Sequence, residues 1–383
     1  MTKHKLTMFI YFYIYVSISF FFAPYLTDVK GFAPETVGYL TTIGLVLLII
    51  SFFTSGFLAD KINSNKNIIV INLIISFFVI IGLIVANSHV LLGLFYILSW
   101  SNFIMITSQL DGLVIRDIDP AKYSTVRAFG SYGAAVSYFF NSYALNDLSL
   151  TTNLAINASL VVILVLLTAT IKETNYEKNA TLGEYKKEVS NALAIKPILY
   201  IMIITFLTYG TLSADDAYQV IYNTDIVGIS ATVMGIIGFI SIVSEGSFMM
   251  IHKKLLNKFG LINTINIGVV TLLIIYITRF TMYTSPVIIN IGSVLMGVFI
   301  GFYVPSAILI INRFIGEETK NIFLSLYQIM IRMGGVLIGL ITTIFFDLTG
   351  SLQNIYFLHS TMIALSFIFI FKLKKEIENS DIK

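Results

Sequence analysis

A chain of 383 residues that is 57% hydrophobic and only 12% charged carries more apolar side chains than a water-soluble core encloses, so composition excludes a soluble globular enzyme. The formal net charge is only +3, and the absence of cysteine rules out disulfides, thiolate metal sites and a cysteine nucleophile. What composition leaves is a polytopic membrane protein.

In chain order, apolar windows fall near 6–27, 37–59, 67–87, 90–115, 124–144, 151–171, 197–222, 230–252, 262–281, 285–312, 321–346 and 352–373. At ~1.5 Å per residue, each is long enough to cross ~30 Å of hydrocarbon as a helix. The runs are too long and too uniformly apolar for barrel strands, which alternate lumen and lipid faces. The first window follows Lys3 and Lys5 as a signal peptide would, yet it runs to Thr27 without a small-x-small cleavage site and reads as a retained helix. The fold class expected is an all-α polytopic membrane protein with twelve transmembrane helices in two six-helix, pseudo-symmetric halves. Residues 1–171 form the N-terminal half, 172–196 a mixed-charge cytoplasmic central linker, and 197–383 the C-terminal half with a short cytoplasmic tail.

Orientation follows from basic residues in the short loops. With both termini cytoplasmic, all of the 24 Lys and Arg residues except Lys30, Arg279 and Arg332 fall on the inner side. The expected location is the plasma (cytoplasmic) membrane, with the lipid bilayer and a small solute as partners, no nucleic acid, and a monomer as the working state. Two halves of this kind imply a solute cleft near the midplane, opened to each side in turn by rocking.

The loop between the second and third helices, GFLADKINSNK, carries Gly56, Asp60, Lys61 and Lys66. Glycine permits close helix approach, the aspartate suits a helix end, and the lysines stay in the cytosol. The set reads as a conformational loop motif, with an ordinary turn as the alternative.

An ionisable side chain at membrane depth costs on the order of 3 kcal/mol, so its presence points to a partner or an aqueous cavity. Glu245 sits beside Ser244, Gly246 and Ser247, small residues that admit water, solute or another helix. It is either a proton carrier or one half of a permanent ion pair, and Arg279 is its expected partner. Asp111 and Arg127 flank a turn containing Asp117, Asp119 and Pro120, which lets their helix ends lie side by side. The guanidinium offers paired donors to a carboxylate or vicinal hydroxyls; a loop-locking ion pair is the other reading.

Adjacent Asp215 and Asp216 point to different faces of one helix. Asp216, in register with Tyr209, Gln219 and Asn223, is the cavity candidate, while Asp215 shares a face with Tyr218 and Tyr222. Arg332 has an anionic solute, Asp347 or the lower membrane surface as its alternatives. His359 reads as a packing residue and His252, beside Lys253 and Lys254, as interfacial. Tyr15 and Ser19 share a face of the first helix and are candidate solute contacts, and Trp100 and Asn102 are ambiguous.

Three segments carry a family resemblance: FFAPYLTDVKGFAPETVGYLTTIGLVLLIISFFTSGFLADKI, QLDGLVIRDIDPAKYSTVRAFGSYG and GFISIVSEGSFMM. They resemble the major facilitator superfamily and, more narrowly, its oligosaccharide/proton symporter branch, which includes lactose permease and phenylpropionate-type permeases. The resemblance implies that Asp111 is the acidic residue of the fourth helix, Arg127 the substrate-associated arginine of the fifth, and Glu245 the eighth-helix glutamate linking substrate to protonation. It also places Asp215 and Asp216 among the seventh-helix acids and Arg279 at the ninth-helix arginine. The branch's tenth-helix lysine and histidine have no counterpart here, and Gly133 and Ala134 stand where its stacking tryptophan would be.

On these grounds the expected function is proton-coupled uptake of a small polar organic solute, sugar or short oligosaccharide first. Proton coupling is assigned to Glu245, Asp111 and Asp216, and substrate binding to Arg127, Arg279, Tyr15 and Ser19. Aromatic acid or nucleoside uptake, drug efflux and a non-transporting solute sensor are the alternatives. No phosphate-binding loop or metal-ligand spacing occurs, so no cofactor and no metal are expected; the coupling ion is a proton, with sodium as the alternative.

Overall fold

A computed structural model describes residues 1–147, 149–174, 182–229, 231–284 and 286–381, and among them there are fourteen α-helices and no strand. The first group is α1 (Thr2–Pro24), α2 (Pro34–Ile62), α3 (Asn65–Val85), α4 (His89–Ile104), α5 (Ile106–Asp117), α6 (Tyr123–Asp147) and α7 (Leu150–Ala169). There follow α8 (Leu182–Leu193), α9 (Lys196–Ile221), α10 (Ala231–Phe259), α11 (Leu261–Thr281), α12 (Pro286–Phe314), α13 (Lys320–Thr349) and α14 (Leu352–Asp381).

Fourteen helices arise from twelve apolar windows for two reasons. The fourth window is interrupted at Met105, which separates α4 from α5 within the single span His89–Asp117. The expected linker also carries a helix of its own, α8; residues 175–181 of that linker, Lys178 among them, lie outside the described residues. Among the described residues ten helical spans are long and apolar enough to cross a membrane. The remaining long helices are α1 and α6, and α6 carries Ser124, Thr125, Arg127, Ser131, Ser137 and Asn141 along its length.

Local chemistry sets the helix ends. Pro34 opens α2, where a missing N–H costs nothing, and Asn63 closes it in the left-handed region at φ 53°. One residue on, the Ser64 hydroxyl accepts from the Asn67 amide at 3.1 Å and caps α3.

The chain forms two compact units. Met1–Lys178 with Lys320–Leu326 makes the first, and Asn179–Thr319 with Tyr327–Lys383 the second. Within the first, α1 lies along α6 and α7, and α3 along α4, α5 and α7. A polar seam runs through the α1, α6 and α7 contact: Asn157 donates to Ser17 at 2.8 Å, and Ser17 to Asn153 at 3.1 Å. Such hydrogen bonds hold helices together where surrounding lipid is as apolar as the interface. In the second unit, α12 packs on α10 and α11, and α14 on α9 and α11. Large apolar side chains remain on the outer surfaces, among them Phe78, Val90, Leu340 and Phe371, as a hydrocarbon solvent requires.

Candidate functional site

The turn after α5 brings Asp111 and Arg127 together, as the sequence suggests. Arg127 Nε lies 3.8 Å from Asp111 Oδ1, and the Tyr123 hydroxyl donates to that same oxygen at 2.7 Å. The guanidinium rests over the Phe12 ring, 4.0 Å from its centroid. Asp111 is buried, whereas the Arg127 side chain retains 11% of its accessible surface. Charge compensation thus acts through the field at close range, while the direct hydrogen bond comes from a phenol.

The second unit holds a tighter pair, and it corrects one expectation. Arg279 does not take Glu245 as its contact but donates to Asp215 Oδ2 at 2.6 Å, and Tyr276 donates to the same oxygen at 3.1 Å. Tyr222, Tyr276 and Tyr356 surround the guanidinium at 5.5 to 5.8 Å. The pairing is physically reasonable because α9, α11 and α14 form one packed group, and burial demands a partner at contact distance. Arg279 is thus enclosed by Asp215 and three tyrosine rings.

Asp216 faces the other way, retaining accessible surface, and experiences the charges of Asp215 and Arg332. Among the alternatives for Arg332, Asp216 was not foreseen. Glu245 lies at the crossing of α10 and α12. A methyl group added at Gly297 would stand 2.6 Å from the Glu245 amide nitrogen, and one at Gly301 would stand 2.9 Å from its carbonyl oxygen. Small residues on both helices permit this approach, as the sequence around Glu245 anticipates. His252 is buried, with Nε2 2.9 Å from the Ser306 hydroxyl of α12.

Tyr15 and Ser19 line a small recess together with Ile18, Ser99, Trp100, Phe103 and Ile104. The Ser19 hydroxyl turns back to the Tyr15 carbonyl at 2.9 Å. Asn102, by contrast, is tied to α3 through the Asn72 carbonyl at 2.7 Å and Ser76 at 2.8 Å, a packing role.

The loop motif has a definite target. The buried Asp60 carboxylate accepts from the amides of Asn321 at 3.1 Å and Ile322 at 3.0 Å, and from Asn321 Nδ2 at 2.8 Å. It is an anion seated on the first turn of α13, where unpaired N–H groups and the helix dipole favour negative charge. Gly56 is required for the contact, since an added Cβ would lie 2.6 Å from the Ser325 hydroxyl and 3.0 Å from the Ile322 Cα. Lys66 donates to the Ile171 carbonyl at 3.2 Å, whereas Lys61 is exposed. Glu173 supplies a second helix-end anion, accepting from Ser64 and from the Asn65 and Lys66 amides at the start of α3.

Long membrane-crossing helices in two units, with acid–base pairs buried among them, are the construction of a membrane transporter. The chain belongs to the MFS_1 like family of the major facilitator superfamily, whose model matches residues 1–357. It is therefore a transporter and not an enzyme. It is 24% identical over 311 residues to the uncharacterized transporter YwbF of Bacillus subtilis (strain 168), covering 79% of this chain and 75% of that protein. It is 20% identical over 335 residues to the maltose permease of Geobacillus stearothermophilus, covering 85% and 82%. Among solved structures, FucP in an outward conformation superposes with a TM-score of 0.79 at 14% identity over 97% of this chain and 98% of the other, a likeness of fold.

Proposed function

We propose that this transporter takes up a small polar organic solute together with a proton, and that sugars or short oligosaccharides are its first substrate class. The observation that carries the reading is the Asp111–Arg127 pair. Its members stand 3.8 Å apart, so protonation of Asp111 removes a neighbouring negative charge from the planar guanidinium without breaking a direct hydrogen bond between them, and strengthens its pull on a solute. Maltose permease among the relatives supports the substrate class, and the E. coli fucose:proton symporter FucP, a protein of like fold, is in keeping with a proton as the coupling ion.

In this reading Glu245 and Asp216 are further proton carriers, Tyr15 and Ser19 contact the solute from the recess beside Trp100, and Arg279 holds Asp215 in place. Asp60 with Gly56 controls the start of α13 during the cycle. The protein works as a monomer in the cytoplasmic membrane with both termini inside, the orientation that its loop lysines and arginines favour.

The test is solute-induced proton movement in proteoliposomes, screened over sugars, nucleosides and aromatic acids, with Glu245→Gln and Asp111→Asn as paired controls. External alkalinisation by one solute class, abolished in the variants, is the expected result. Solute accumulation driven by a sodium gradient, with no proton movement, would refute the coupling.

A further inference from the structure

Hydrogen-bond accounting around His359 leaves one hydrogen missing. Thr342 has a single hydroxyl hydrogen, and it goes to the Ile338 carbonyl at 2.8 Å. Toward His359 Nε2, 3.0 Å away, the Thr342 oxygen therefore acts as acceptor, which places the hydrogen of the neutral imidazole on Nε2. Nδ1 is then a lone pair. It faces Asp215 Oδ1 at 3.6 Å, and both atoms are buried with no hydrogen-bond partner. Two acceptors pointing at each other in a closed interior are unfavourable, because neither recovers the hydrogen bond it had in water.

The geometry points to a proton-binding site between His359 Nδ1 and Asp215 Oδ1, filled when the imidazole becomes imidazolium. The proton adds to the Nδ1 lone pair, no bond is broken, and two orphan acceptors become one charge-assisted hydrogen bond. A small tilt of the ring, of roughly 0.7 Å, brings the atoms within bonding distance. Every element around the ring contributes: α9 brings Asp215, which attracts the proton; α11 brings Arg279, which repels it, and Tyr276, edge-on at 5.4 Å. Thr342 comes from α13, and Tyr356 stands on α14 itself at 6.4 Å. With Arg279 already neutralising Asp215, the filled site carries one extra positive charge beside the tyrosine rings that already face the guanidinium.

The site goes beyond the function proposed above, because a proton binds here without solute and without coupling. The chain has four histidines, so replacing His4, His89 and His252 by glutamine leaves His359 as the sole imidazole. Nitrogen-15 NMR of that protein in nanodiscs, with labelled imidazole, reports the tautomer and charge directly. The expected result is an Nε2–H ring at high pH that converts to imidazolium as the pH falls. Asp215→Asn sets an amide donor against Nδ1 and is expected to weaken proton binding at least tenfold. Thr342→Val preserves the charges and is expected to shift the neutral ring toward the Nδ1–H tautomer, which keeps the test open if the aspartate variant fails to fold. A ring already protonated on Nδ1 at high pH, a ring neutral throughout, or an Asp215→Asn protein that titrates like its parent would overturn the site. Solute-driven proton uptake is a separate measurement, and its absence beside a titrating His359 would remove the coupling while leaving this site in place.

Discussion

The Asp111–Arg127 pair of the first unit and the Asp215–Arg279 pair of the second are built to different tolerances. In the first, 3.8 Å separates Arg127 from Asp111, a tyrosine supplies the close hydrogen bond, and one phenylalanine ring lies under the guanidinium. In the second, Arg279 contacts Asp215 at 2.6 Å inside three tyrosine rings, with only 4% of its side chain accessible. The looser pair leaves part of its guanidinium accessible. The tighter one exchanges that access for a fixed carboxylate, whose second oxygen then faces His359.

Removing one partner is the strongest way to break this comparison. Arg279→Gln leaves Asp215 buried without its cation and is expected to cost roughly 3–5 kcal/mol in thermal unfolding, largely restored by Asp215→Asn in the same chain. Arg127→Gln should cost less than half as much, and equal losses would erase the distinction. Tyr123→Phe tests what holds the looser pair: losing a hydrogen bond to a carboxylate should lower stability by about 1.5–3 kcal/mol. An unchanged melting temperature would mean that Arg127 alone keeps Asp111 satisfied. Arg127→Lys retains the charge but not the planar fork, and solute transport should fall at least tenfold, about 1.4 kcal/mol, with little change in unfolding. A control outside both pairs is Glu173→Gln, where a helix-end anion is lost near the surface and only about 0.3–1 kcal/mol should follow.

The sequence made the costly residues visible but not their partners. Run lengths were enough to find the long helices, because hydrocarbon thickness dictates them, and the short turn after Asp117 was enough to bring Asp111 beside Arg127. The break at Met105 has no proline or glycine to announce it. Arg279 was matched to Glu245 because both are isolated charges on neighbouring stretches, and no local pattern says that α9 and α14 meet α11 instead. Asn321 escaped notice for a related reason. As a polar residue opening a helix it looks routine, and only the fold brings Asp60 to its amide. His359 reads from the sequence as a packing residue, and its burial beside Thr342 agrees, but only the fold brings the Asp215 carboxylate to the other side of its ring.

The second unit also contains a crossing made without side chains. A methyl added at Gly210 of α9 would stand 2.6 Å from the Gly334 Cα of α13, and one at Gly335 2.7 Å from the Ser213 hydroxyl. Where ridges normally seat in grooves and fix an angle, two bare backbones meet as smooth cylinders. An alanine at Gly210 or Gly334 therefore has no room until the two backbones part.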